Sequence, residues 1–174
     1  MGAEATAATD LLSLSMTSHE HHEKILRHVN RLPALAEMLA HVDVGEFTAT
    51  FELEYRFITQ ELVPHIDAVE MALYAQLDRL MEGRHSMAPM REEHLDLRRL
   101  IVRLGEYRTR MDAPDCLDQA CAVGLRRAIY RLYSLLKVHL AEEELYLHVL
   151  DRNLSALELD LLARGIEHAT AEPL

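Results

Sequence analysis

Tryptophan is absent from this 174-residue chain, and aromatic residues make up only 5% of it. Six glycines and five prolines are few for the length, and runs of β-branched residues are missing. These shortages remove the usual material of strands and tight hairpins, while Leu, Ala, Glu and Arg, all good helix formers, dominate. Cysteine is scarce too. Cys116 and Cys121 stand five apart, on different faces of a helix, so an intrachain disulfide is disfavoured, and no CxxC or Cys/His spacing suggests a zinc knuckle. That usage fits a reducing, cytoplasmic compartment. No apolar run approaches the ~20 residues of a transmembrane helix. Met1–Asp10 lacks the basic residues and apolar core of a signal peptide. Basic charge is also short. With 18 Lys and Arg against 29 Asp and Glu, the net charge of −11 argues against a nucleic-acid partner and against an anionic membrane surface.

What remains is a hydrophobic content of 49%, enough for one domain with a real core, and eleven histidines, an excess that invites a search for a metal site. Residues 1–16 are rich in Ala, Thr and Ser and are expected to form a flexible N-terminus. Thr17-Ser-His-Glu20 reads as a capping box opening a first helix that runs to about Ala40, kinked by Pro33. Asp43 is the expected N-cap of a second helix reaching about Met81, with Phe51, Leu53, Phe57 and Leu73 among its core residues. Pro64 lies inside it, so it either bends there or divides in two. After a break at Glu82–Ser86, a third helix spans about Met87 to Met111, with Leu95, Leu97 and Leu100 as candidate core. Pro114 suits the first turn of a fourth helix running to about Leu150. Ser155-Ala-Leu-Glu158 is a second capping box, starting a short fifth helix to about His168. Met71, Met81, Met87 and Met90 read as core filler.

Four long helices with short connections pack most simply as an up-down-up-down four-helix bundle, with the fifth laid across one end. The expected organisation is a flexible N-terminus at 1–16, a four-helix bundle at 17–151, and a C-terminal helix and tail at 152–174. Oligomeric state stays open.

The chain's candidate chemistry is centred on His139-Leu-Ala-Glu-Glu143. Residues four apart share one face of a helix, so His139 and Glu143 can point at a common ion. HxxxE alone is weak, since a Glu-rich helix produces it by chance. A lone helical histidine is more often a surface or hydrogen-bonded residue than a ligand. The coincidence across helices carries the argument. Helix one offers His19, His21 and His22, helix two His65, helix three His94, and helix four His139 with Glu143. An imidazole and carboxylate set of this kind suits iron, and also zinc or manganese.

On these residues the chain resembles the hemerythrin-like, HHE cation-binding family. The phrases that carry the resemblance are His22-Glu-Lys-Ile25, Glu61-Leu-Val-Pro64-His65 through Tyr74, Met90-Arg-Glu-Glu93-His94-Leu-Asp-Leu97, and Leu132 through Tyr146. It implies a helical bundle holding non-haem iron, two irons in the family's usual arrangement. The implied ligands are His22, His65, His94, His139 and the bridging Glu143, with His19, Glu61, Glu70 and Tyr146 as further candidates. It also implies a small ligand, O2, NO or peroxide, in sensing, detoxification or iron handling.

Two positions depart from the family pattern. The carboxylate expected four residues after His65 is replaced by Val69, and Glu70 lies about 140° around a regular helix from His65. Glu70 reaches the same metal only if a π-bulge intervenes. Glu61 shares the face of His65 but approaches from the other end. Arg98 follows His94 by four, where oxygen carriers of the family place another histidine, and it is a candidate salt-bridge partner for Glu143. Three outcomes are open: a di-iron site, a single iron or zinc, or a metal-free, degenerate bundle serving as an interaction or oligomerisation module. Whether the protein is an enzyme is not decided by the sequence.

Overall fold

The computed structural model describes residues 14–41, 43–81, 86–111 and 118–171, without the side chains of 14–20, 165 and 167–171. Every regular element among the described residues is helical. In chain order these are α1 (Leu14–Val29), α2 (Leu32–Met38), α3 (Val44–Phe57), a first π-helical turn (Ile58–Leu62), α4 (Val63–Ala68), a second π-helical turn (Val69–Leu73), α5 (Tyr74–Leu80), α6 (Ala88–Arg110), α7 (Gln119–Asn153) and α8 (Ala156–Ala171). None of the described helices is long and apolar enough to cross a membrane.

Local chemistry sets the helix ends. Asp43 accepts hydrogen bonds from the N–H groups of Gly45 at 2.8 Å and Glu46 at 3.0 Å, capping α3 as its sequence predicts. Ser155 and Glu158 form the expected reciprocal box at the start of α8, with the Ser155 N–H reaching the Glu158 carboxylate at 2.9 Å. Asp118 takes the Cys121 N–H at 2.7 Å and caps α7; Pro114 lies outside the described residues.

Two boundaries differ from expectation. Helix α1 already runs from Leu14 through Thr17–Glu20, so that capping box is helix interior rather than helix start. Pro33 does not kink one helix. It sits in the first turn of α2, where its missing N–H costs no internal bond, and α1 has ended at Val29.

Pro64 has a third outcome beyond a bend or a division. Its ring would press on the carbonyl of Gln60, four residues earlier. Gln60 lies in the first π turn, where the N–H of Val63 reaches back five residues to the Ile58 carbonyl. The widened turn accommodates the proline without ending the helix.

The contacts divide the chain into two compact units. One takes in α1 up to Lys24, Pro64–Met87 and the chain from Leu140; the other comprises Ile25–Val63 and Ala88–His139. The first buries Ile66, Leu73, Tyr74, Leu77 and Leu147, and α8 packs on the second π turn. The second buries Phe47 and Phe51 of α3, Leu97 and Leu104 of α6, and Ile129 and Leu132 of α7.

Met87 and Met90 are buried as expected, but Met71, Leu53 and Leu95 are exposed. Each stands off the one stripe its helix buries. On α3 that stripe is Phe47, Phe51, Glu54 and Phe57, so Glu54 occupies the interior position next to Leu53. Its charge is met by His28 Nδ1 at 2.8 Å and by the Arg31 guanidinium at 3.5 Å, and the His28 ring stacks on Phe57 at 3.6 Å. A buried carboxylate with two partners is tolerated where an unpaired one would not be.

Candidate metal centre

Three helices of the first unit turn one donor each into its interior. On α1, His22 shares the buried stripe of Ile25 and Val29; on α4, His65 lies beside buried Leu62 and Ile66. Glu143 on α7 continues the register of Leu136, Leu140, Leu147 and Leu150, all buried. Helical periodicity thus places a carboxylate where the pattern calls for a hydrophobe. His22 Nε2 lies 3.4 Å and His65 Nε2 3.6 Å from the same Glu143 oxygen. One ligand atom from each residue lies within 4.8 Å of the other two.

The electrostatics stem from this geometry. Burial alone would push the Glu143 carboxyl up, but the His22 and His65 imidazoles outweigh it and hold the group well below the usual carboxylate range. Burial pulls His22 down, and Glu143 together with Glu144 reverses the effect, leaving it above 6.5. Glu144 contacts the other ring nitrogen of His22, Nδ1, at 3.2 Å.

The residues fit a cation. Both ring nitrogens of His65 are buried and find no hydrogen-bond partner among the described residues, an arrangement that costs about 1–3 kcal/mol for a group with nothing to bind. His65 Nε2 nevertheless faces an oxygen of a buried carboxylate. Two imidazoles and one carboxylate converging in this way form a donor set for a metal cation, suited to iron, zinc or manganese.

The second unit holds another pair. His94 on α6 and His139 on α7 are buried, with their Nε2 atoms 2.9 Å apart. Glu93, next to His94 on α6, meets His139 Nδ1 at 2.8 Å. Two donors at right angles on one ion, each about 2.1 Å from it, would stand about 3.0 Å apart. The observed separation suits a shared ion as well as it suits a hydrogen bond.

Of the residues singled out from sequence, His22, His65 and Glu143 come together in one cluster and His94 with His139 in the other. His19 lies on α1, its side chain outside the described set. Glu61 is half-buried in the first π turn, Glu70 is half-buried in the second, and Tyr146 is half-buried on α7. Arg98 is half-buried on α6. Val69 is buried. A π-helical turn does follow His65, spanning Val69–Leu73 with Glu70 inside it, but the cluster of possible ligands comprises His22, His65 and Glu143 and leaves Glu70 out. Sequence reasoning named neither Glu93 nor Glu144 as a participant. The available signal was adjacency, each standing next to a named ligand, but glutamates beside helical ligands are common on solvated faces.

Neither the curated proteins nor the solved structures contain a match to this chain. A family model described as the hemerythrin HHE cation binding domain matches residues 17–150. That span carries both histidine clusters and is helical wherever it forms regular structure among the described residues. The chain belongs to the hemerythrin HHE cation-binding family.

Proposed function

We propose that the chain is a non-haem iron protein that binds or reacts with a small ligand, O2, NO or peroxide. His22, His65 and Glu143 hold one iron, and His94 and His139 donate to a second. The observation that carries the reading is the convergence of two imidazole nitrogens and a carboxylate oxygen within 4.8 Å in a buried setting. Bound iron would supply an open coordination position and a change of oxidation state. The chain's own residues hold Glu143 ionised, keep the ring nitrogens of His65 away from water, and turn the Nε2 atoms of His22 and His139 inward. The net charge of −11 supports a small-molecule ligand rather than a nucleic acid. The roles open to such a site are sensing, detoxification and iron handling, in the cytoplasm.

One observation favours a second reading, a metal-free bundle acting as an interaction or oligomerisation module. Val69 is buried one regular turn after His65, where the family pattern calls for a carboxylate. Metal analysis with an absorption spectrum on protein purified from iron-replete cells separates the readings. The iron reading expects close to two irons per chain and near-ultraviolet charge-transfer absorption. One metal per chain reduces it to a single-iron or zinc site, and a content near zero rejects it.

A further inference from the structure

Both histidine clusters repeat one arrangement that goes beyond their metal-facing donors. His22 meets Glu143 through Nε2, and its Nδ1 lies 3.2 Å from a Glu144 oxygen. His139 meets His94 through Nε2, and its Nδ1 lies 2.8 Å from a Glu93 oxygen. In each case the carboxylate adjoins a donor of its own helix and reaches a histidine of another. Glu144 comes directly after Glu143 on α7 and contacts α1; Glu93 precedes His94 on α6 and contacts α7. Successive helical residues diverge by about 100°, so each adjacent pair can aim one side chain inward and the other across to the neighbouring helix. The carboxylates remain partly open to water, at 26% and 25% exposure, whereas the rings they hold are at 4% and 2%.

From this geometry we infer that Glu144 and Glu93 are positioning residues, each fixing the tautomer and orientation of one ligand histidine. A carboxylate accepting the Nδ1 proton leaves the Nε2 lone pair free for a cation and makes it a stronger donor. It also removes the tautomer in which Nε2 carries the proton and repels the ion. His65 is the internal contrast, because its Nδ1 has no such partner among the described residues. The inference rests on the iron reading above and assigns to these two glutamates the orientation of half of the four histidines.

The test compares wild type with Glu144→Ala, Glu93→Ala, Glu144→Gln and Glu93→Gln in the full chain. Each is loaded without oxygen with Fe(II), and separately with Co(II) as a spectroscopic probe. Chelator competition gives affinity, the visible Co(II) bands report the ligand field, and the metal-free melting temperature reports structure. Each alanine variant is expected to lose about 10–100-fold in affinity and to shift the Co(II) bands, with the metal-free melt lowered by only about 2–4 °C for the lost contact. Each glutamine variant keeps an acceptor oxygen for Nδ1–H and should recover most of that loss. Alanine variants that bind as tightly as wild type overturn the inference while leaving the iron reading intact. Weaker binding that glutamine does not rescue, with the metal-free melt falling in step, assigns a merely structural role and also overturns it. A wild type that binds neither metal overturns the iron reading itself, and the positioning role with it.

Discussion

His94 and His139 face each other through their Nε2 atoms at 2.9 Å, with both rings buried. Glu93 contacts Nδ1 of His139, which places the proton there and leaves an Nε2 lone pair pointing at His94. Two lone pairs do not approach so closely unless something positive lies between them, either a proton on one of the two rings or a cation. The two cases separate experimentally. If iron binds here, saturation at about one hundred times its dissociation constant adds about 2.7 kcal/mol to stability. For a chain of this size that raises the melting temperature by about 5–10 °C. Chelation should remove the increment, and His139→Ala should abolish most of it. Wild-type melting indifferent to chelator would instead assign the pair to a proton-bridged structural contact.

The metal-free protein should have a distinctive pH dependence. Glu143 is held well below its ordinary 4.5, because His22 and His65 outweigh the opposing effect of burial. Its contribution to stability is present above pH 4.5 and disappears as pH falls through the depressed folded value. His22 is raised above 6.5, since Glu143 and Glu144 outweigh the burial that pulls it down. Its contribution is complete below pH 6.5 and disappears as pH rises through the raised folded value. The cluster therefore stabilises the metal-free chain most at about pH 5–6 and less at pH 8–9. Urea denaturation in the presence of chelator at pH 5.5, 7 and 9 measures this, and Glu143→Gln should flatten the profile. Metal affinity must run the other way, rising with pH, because imidazoles bind metal only when unprotonated. A metal-free stability that climbs from pH 5.5 to 9 contradicts the charge assignment.

Much of the fold was legible because its signals are local. Asp43 and the Ser155–Glu158 box act within one turn, and both cap helices as their sequence predicts. The buried histidines His22, His65, His94 and His139 stand on stripes that the apolar residues define, but period alone did not separate His22 from His19 and His21; the family resemblance did. Leu53 and Glu54 show where that reasoning fails. Hydrophobicity nominates Leu53, but the neighbouring positions Phe51 and Phe57 fix the buried face, and Glu54 is on it. What makes this affordable is a partner 26 residues away, His28, which no local pattern reveals. Glu93 and Glu144 were missed for the same reason, as each acts on a histidine of another helix. The first π turn, at Ile58–Leu62, had no signal in the apolar spacing, and the second was raised only as the condition on which Glu70 could reach the His65 site.

Gly105 marks a close approach of α6 to α3. A Cβ there would fall 2.6 Å from the Tyr55 hydroxyl oxygen. Helix propensity favours alanine over glycine by about 1 kcal/mol, whereas forcing an atom into a filled space costs about 1–3 kcal/mol. The Tyr55 ring cannot swing away cheaply. It stacks near Phe51 at 5.8 Å, and the Arg108 guanidinium lies 5.6 Å from its centroid. Overpacking should win, so Gly105→Ala is expected to destabilise by about 1 kcal/mol, read by denaturant or thermal unfolding. In a Tyr55→Phe background the obstructing oxygen is gone and the same substitution should become neutral or stabilising. A Gly105→Ala variant more stable than wild type would show that α6 and α3 are not close-packed there.

The second π turn bears on whether Glu70 belongs to the His65 site. In a regular helix Val69, four residues after His65, would share its face, and Glu70 would not. Here the N–H of Tyr74 bonds the Val69 carbonyl, a closure over five residues instead of four. A π turn is in effect a one-residue insertion, and it rotates the downstream residues back towards the face they would otherwise leave. Val69 is buried and Glu70 half-buried. If Val69 is the inserted residue, its deletion should leave His65 and Glu70 four apart in an ordinary helix, with Leu73 onward still in register. That deletion is then expected to retain metal binding within a few-fold of wild type, whereas Glu70→Gln should weaken it by at least about tenfold. Chelator competition on the two variants reads both effects. Full binding by Glu70→Gln, with binding lost on deletion of Val69, would exclude Glu70 from the site and leave Glu143 as the carboxylate that His65 serves.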